Sequence, residues 1–213
     1  MGLLIVSFTK DDVDIQSVTT VFQGYFRIDR YLIRHRTFAG GWTGTISREI
    51  FERGHAVGVL PYDPVLDRVV LIEQYRTGAL AAGRDPWLVE IVAGMIEEGE
   101  EPEDVARRET QEEAGGEILD LIPINDILVT PGGSSETMKI FCARVDSSSM
   151  GGLHGLEEEN EDIRVFTLSV DEALEWVKAG RISNAVAVIA LYWLALERKN
   201  LQTRWSAAYT TPN

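Results

Sequence analysis

The sequence predicts an α+β protein, a mixed β-sheet with few helices behind an amino-terminal antiparallel β segment. Three observations carry this reading. Runs rich in β-branched and aromatic residues recur along the chain without regular strand–helix alternation. Helical patterns are confined to 102–114, 171–179 and 183–198. At 213 residues and 45% hydrophobic content, the chain is long enough to bury a core without staples, as one domain or a domain with an appendage.

Residues 13–53 read as β. The stretch 18–38 carries Tyr25, Phe26, Ile28, Tyr31 and Ile33 in partial alternation, and Gly40–Gly44 is a turn signal before a returning strand at 45–53. This segment holds too little apolar mass for a sizeable core of its own. It sets a first domain at 1–53 and a second at 54–213. In the second, 55–60 and 68–75 read as strands around Pro61-Tyr62-Asp63-Pro64. The run 87–92 is a further apolar element. Pro102 suits the first position of a helix whose opening turn is acidic, and Gly115-Gly116 stops it at Ala114. Strands are expected at 118–130, 137–145 and 163–168, with a small-residue loop at 147–155. A short helix at 171–179 ends at Gly180, and Ser183 is the expected cap of the last helix.

Charge excludes several classes of partner. Lys+Arg number 20 against Asp+Glu 34, a formal net charge of −14. A phosphate backbone or an anionic membrane surface needs a basic face, so neither nucleic acid nor membrane is an expected partner. The longest apolar run, 185–196, is too short to span a bilayer. A lone cysteine, Cys142, excludes an intramolecular disulfide framework. With no signal-peptide pattern at the apolar start, the expected compartment is the cytoplasm.

The acids are concentrated. Ten fall between Glu97 and Glu117, and five more between Glu157 and Asp162. Glu109 and Glu113 stand at i, i+4 on one helical face, with Glu112 beside them. Like charges at that spacing cost about a few tenths of a kcal/mol each. Glu112 and Glu113 also crowd the negative end of the helix dipole. A purely structural helix gains nothing from this. A bound hard cation such as Mg²⁺ or Mn²⁺, which takes oxygen ligands, makes the arrangement favourable.

The full run is Gly94, five residues, Glu100, seven residues, Arg108-Glu109, two residues, Glu112-Glu113, one residue and Gly115. It resembles the Nudix box of nucleoside-diphosphate-linked-X hydrolases. At average residue usage, seven fixed positions coincide by chance on the order of 10⁻⁸ per start site. Thr110 and Gly116 depart from the bulky aliphatics usual there, which bears on helix packing, not on ligands. The resemblance implies an α/β/α sandwich and a metal site of the Ala93 carbonyl, Glu109, Glu112 and Glu113, with two or three Mg²⁺ and Mn²⁺ as a substitute. It also implies a Glu100–Arg108 structural ion pair and a phosphate-approaching loop at Gly94 and Met95.

Two further stretches are similar to the family's ADP-ribose pyrophosphatases: Pro131-Gly132-Gly133, after Thr130, and the acidic loop 154–162. The likeness implies a base for the attacking water at Glu159, with Glu161 as the alternative, and a role for Glu112 in catalysis. The amino-terminal β segment with the stretch 48–56 looks like the dimerisation domain of the bacterial enzymes. It implies a homodimer with domain exchange, Tyr25 or Phe26 against adenine, Arg48 and Arg53 near adenine or phosphate, and Arg76 and Thr130 at the substrate. The implied reaction is Mg²⁺-dependent hydrolysis of ADP-ribose to AMP and ribose 5-phosphate. Another nucleotide sugar such as GDP-mannose, or a non-catalytic ADP-ribose sensor, are the alternatives. No Asp-x-Asp-x-Asp-Gly calcium loop, Walker loop or Gly-x-Ser-x-Gly elbow is present.

Overall fold

A computed structural model of the chain describes residues 7–156 and 160–207. It divides into two compact units. One comprises residues up to Gly54 together with Leu128–Thr137, and the other comprises His55–Ile127 and the residues from Met138 onward. The segment at 128–137, expected in the second domain, thus groups with the amino-terminal unit. Hydrogen bonds to the Phe51 main chain explain why: Phe51 N–H donates to the Gly133 carbonyl at 2.8 Å, and Ser134 Oγ donates to the Phe51 carbonyl at 3.1 Å.

The first unit is a three-stranded antiparallel sheet of β1 (Val13–Gln23), β2 (Arg27–His35) and β3 (Ile46–Glu52), in that order. The continuous β run expected over 18–38 is broken by a turn at Gly24-Tyr25-Phe26, where Gly24 N–H donates to the Phe26 carbonyl at 2.9 Å. Cross-strand pairs fix the register. Arg34 meets Asp14 at 2.7 Å, and the buried Asp29 accepts from Thr20 across the strands at 2.7 Å and from Arg27 of its own strand at 2.9 Å. Ile15, Phe22 and Tyr25 stay exposed.

The second unit has an eight-stranded mixed sheet. Its strands are β4 (His55–Asp63), β5 (Arg68–Tyr75), β6 (Trp87–Glu90), β7 (Val92–Ile96), β8 (Asp120–Leu128), β9 (Thr137–Arg144), β10 (Gly152–His154) and β11 (Ile163–Ser169). The order is β10-β11-β5-β4-β9-β8, with β6 on β5 and β7 on β4. β4 and β9 run parallel, whereas β4 pairs antiparallel with β5 and β7. Side chains alternate between two cores. Val57, Val59, Val70, Ile72, Phe141 and Ala143 share a cluster with Val105 and Ala106 of helix α2 (Pro102–Ala114). Leu60, Tyr62, Val69, Leu71, Ile140 and Cys142 share the other with helices α3 (Val170–Lys178) and α4 (Ala185–Ala207). Burial on both faces gives the central strands unbroken apolar runs, and the result is the expected α/β/α layering.

Several boundaries differ from the sequence reading. β4 continues through Pro61 and Tyr62 to Asp63, and the turn follows it, because Asp63 Oδ1 accepts from Val65 N–H and Leu66 N–H at 2.9 and 3.0 Å. A one-turn helix α1 (Thr77–Ala81) and the short strand β10 were not foreseen. Asn184, not Ser183, caps α4: its Oδ1 accepts from Val186 N–H at 3.0 Å and Ala187 N–H at 3.2 Å. α4 also runs nine residues past Arg198, because Leu201 and Trp205 prolong its buried stripe beyond Leu194. Helix α2 matches its expected limits, with Pro102 in the first turn and Gly115 left-handed at φ 65°. Among the described residues no helix is long and apolar enough to cross a membrane.

Candidate active site

Helix α2 lies against β7, and its buried face turns acidic toward its carboxyl end. Val105 and Ala106 pack in the core, and the next turns of that side bring Glu109, Thr110 and Glu113. Glu113 is 3% exposed, and its Oε2 accepts from Ala93 N–H at 2.9 Å. Glu109 lies directly over Gly94. A Cβ at position 94 would fall 1.9 Å from Glu109 Oε1, so only glycine leaves room for this carboxylate. Sequence spacing joined these residues across some twenty positions, and the fold brings them into contact.

Burial makes both carboxyls reluctant to ionise. It is the main cause that pushes Glu113 up to about 8. The Ala93 N–H works against it, Glu109 and Glu161 reinforce it, and the positive charge of Arg76 opposes it. Glu109 is pushed up to about 7, again chiefly by burial, with Arg108 opposing and Glu112 and Glu161 reinforcing. A divalent cation is the group that turns such a pair from a liability into a ligand set.

Arg108 Nη2 meets Glu100 Oε2, the partner the resemblance implies, at 3.4 Å. Its Nη1 also reaches Glu109 Oε1 at 2.7 Å and Glu112 Oε2 at 3.2 Å. Three carboxylates compete for one guanidinium, and the two on its own helix are the closer. Glu100 takes the Glu97 N–H at 3.0 Å, which is the main cause holding its carboxyl below the usual range. Glu112 is therefore drawn to Arg108. Among the described residues, no three His, Cys, Asp or Glu side chains stand together as a metal cage. The Ala93 carbonyl and the carboxylates of Glu109 and Glu113 are nonetheless the hard oxygen donors that Mg²⁺ takes, beside a cradle cleared of any Cβ. The donor set fits the cation.

The two unusual box positions have a packing account. Thr110 is fully buried and donates its hydroxyl to the Ala106 carbonyl at 2.7 Å. At Gly116 the space belongs to Met150, whose Cε would lie 2.2 Å from an added Cβ. His154 covers Gly115 in the same way. Neither contact was legible in the sequence, because both partners come from the distant segment 150–154.

Glu161 N–H donates to the Leu156 carbonyl at 3.2 Å, and its charge reaches Glu109 and Glu113. Glu159 lies outside the described residues. Arg76 lies between β5 and α1 and donates through Nε to Glu90 Oε2 at 3.0 Å. Glu90, 4% exposed, was missed, although an acid inside the apolar run 87–92 was a readable signal. Gly94 and Met95, expected in a loop, instead lie in strand β7, opposite Val57 and Ala56, because that stretch pairs with β4.

The other expected substrate residues belong to the first unit. Tyr25 is 95% exposed and meets Phe26 edge-on at 4.7 Å, and Phe26 meets Phe51 at 4.9 Å. Arg48 donates to the Ser47 carbonyl at 2.8 Å, and Arg53 pairs with the buried Glu136 at 3.1 Å. The Thr130 carbonyl accepts from Gly133 N–H and Ser134 N–H at 3.1 and 3.0 Å, closing the Pro131-Gly132-Gly133 turn.

Comparison with known proteins identifies the family. A NUDIX domain model matches residues 52–188. An ADP-ribose pyrophosphatase of Escherichia coli K12 is 50% identical over 203 residues, covering 95% of this chain and 97% of that protein. One from Haemophilus influenzae is 43% identical over 204 residues, with 94% of each covered. The crystal structure of an ADP compounds hydrolase, 22% identical, superposes with a TM-score of 0.69 over 92% of this chain and 98% of its own. That last likeness bears on the fold alone. With an acidic helix laid over Ala93-Gly94 inside the matched segment, the chain belongs to the Nudix family.

Proposed function

We propose that the chain hydrolyses the pyrophosphate of ADP-ribose to AMP and ribose 5-phosphate. The observation that carries the chemistry is the meeting of Glu109 and Glu113 with Ala93 and Gly94. The substrate rests on the relatives matched along nearly their whole length, which bear the name ADP-ribose pyrophosphatase.

The Ala93 carbonyl, Glu109 and Glu113 would hold Mg²⁺, two or three ions per site with Glu112 shared among them, and Mn²⁺ would substitute. When bound, the cation neutralises pyrophosphate charge and acidifies the attacking water. This resolves the apparent conflict between a chain of net charge −14 and an anionic substrate. The chain's own residues do the rest. Ala93 N–H holds the Glu113 carboxylate in one orientation. Gly94 keeps the Glu109 carboxylate over bare backbone. Arg76 offers N–H donors to a phosphate oxygen. Glu159, or else Glu161, accepts the proton of the water on a carboxylate oxygen. Positioning and electrostatics supply most of the acceleration.

The same reading includes a cytoplasmic homodimer with exchanged amino-terminal units. Tyr25 or Phe26 stacks on adenine, and Arg48 and Arg53 flank adenine or phosphate. The near-complete exposure of Tyr25 and the open Ile15 and Phe22 support it.

The test is turnover of ADP-ribose against a panel of nucleotide sugars including GDP-mannose, with and without Mg²⁺, with products identified. Rapid Mg²⁺-dependent release of AMP from ADP-ribose supports the assignment. Preference for another sugar keeps the chemistry and replaces the substrate. Tight ADP-ribose binding without turnover makes the chain a sensor.

A further inference from the structure

Glu90 is a buried acid with no place in the reaction as written. Its side chain is 5% exposed, whereas that of its partner Arg76 is 43% exposed. Glu90 Oε2 accepts from Arg76 Nε at 3.0 Å and lies 2.9 Å from Nη2. Glu90 Oε1 accepts from Asn184 Nδ2 at 2.8 Å. Asn184 cannot swing away, because its Oδ1 caps α4 through Val186 N–H and Ala187 N–H.

We infer that Glu90 is a positioning residue: anchored by Asn184, it holds the Arg76 guanidinium in place for the substrate pyrophosphate. The inference rests on the pyrophosphohydrolase reading above. Two observations carry it. First, the Arg76 backbone is pinned as well as its side chain. Its N–H donates to the Pro86 carbonyl at 2.7 Å, and its carbonyl accepts from Ala79 N–H at 3.1 Å. Second, Glu90 engages only two of the five donors a guanidinium carries, leaving the others of a half-exposed side chain for an anion. Strand alternation adds a neighbour. Gln74 of β5, two residues before Arg76 along the same extended backbone, is 6% exposed, and its Nε2 has no hydrogen-bond partner among the described residues. A buried amide donor beside Arg76 is a second group awaiting an acceptor.

An ion pair kept only to brace α4 would show the same distances. A double-mutant cycle separates the two roles. kcat and KM are measured for wild type, Glu90→Gln, Arg76→Ala and the double variant, on whichever nucleotide sugar the wild type turns over, with thermal melting of each. The expected result is a loss in kcat/KM of about 10–100-fold for Glu90→Gln. In the Arg76→Ala background the same change should cost less than about twofold, since Glu90 acts through Arg76. Asn184→Ser keeps an N-cap but loses the reach to Glu90. It should lower kcat/KM in the wild-type background alone, and it carries the cycle if Glu90→Gln does not fold. Equal losses in both backgrounds, or full activity in a folded Glu90→Gln protein, overturn the inference. A wild type that turns over no nucleotide sugar overturns the underlying reading as well, and this shows before any variant is made.

Discussion

Gly94 illustrates how a single missing methyl sets a site. Its replacement by alanine would drive a Cβ to 1.9 Å from Glu109 Oε1 and 2.3 Å from Glu109 Cγ, so the glutamate must leave. Gly94→Ala should fold, as circular dichroism and melting will show, yet lose about 100-fold or more in kcat, the scale of removing one preorganised charge contact. Glu109 and Glu113 also predict a pH effect. Both carboxyls are raised above their ordinary values, to about 7 and about 8, so the folded protein holds their protons more tightly than the unfolded chain. Between the unfolded value near 4.5 and those folded values, the native state binds more protons. Stability then falls as pH rises. The melting temperature in EDTA should therefore drop from pH 5 to pH 8, Mg²⁺ should offset the drop, and Glu113→Gln should flatten it. A melting temperature that rises across this window in EDTA would contradict the assignment of burial as the cause. The spacing of the acids was legible in the sequence, because i, i+4 pairs are fixed by helix geometry. The closer reach of Arg108 to Glu109 than to Glu100 was not, since it depends on where a flexible side chain settles.

At the scale of elements, helix α2 could be read to the residue. Pro102 and Gly115 are local signals that tertiary contacts do not override. Helix α4 could not. Its last turns carry Glu197, Arg198, Lys199 and Asn200, and only Leu201 and Trp205 show that the helix continues. Trp205 is 2% exposed, packs near Tyr62, and donates its indole N–H to Asp120 Oδ2 at 2.7 Å. Trp205→Ala should cost about 3–5 kcal/mol in denaturant unfolding while leaving KM near wild type. Trp205→Phe should recover most of the packing and lose only the hydrogen bond. α1 was invisible for a physical reason: five residues are too few for a periodic pattern. Strand β10 hid within glycines for the same reason, since three residues show no alternation.

For the whole molecule, the layered sandwich was legible because strands buried on both faces leave unbroken apolar runs such as Val69–Ile72. The grouping of Leu128–Thr137 with the amino-terminal unit was not, since it rests on hydrogen bonds to Phe51, some eighty residues away. The proposed exchange of that unit between two copies predicts a dimer by sedimentation equilibrium at micromolar concentration. Phe22→Asp, on the exposed sheet, should yield a monomer with its turnover largely lost. A fully active monomer would remove the exchange from the account. The central claim is that the buried carboxylates at Ala93-Gly94 perform metal-dependent pyrophosphate hydrolysis. It is tested most directly by AMP release from ADP-ribose with Mg²⁺ at neutral pH, comparing wild type with Glu113→Gln. The account predicts a loss of about 1,000-fold in the variant, with melting in EDTA no lower than wild type. Turnover within about tenfold of wild type in a folded Glu113→Gln protein would contradict it.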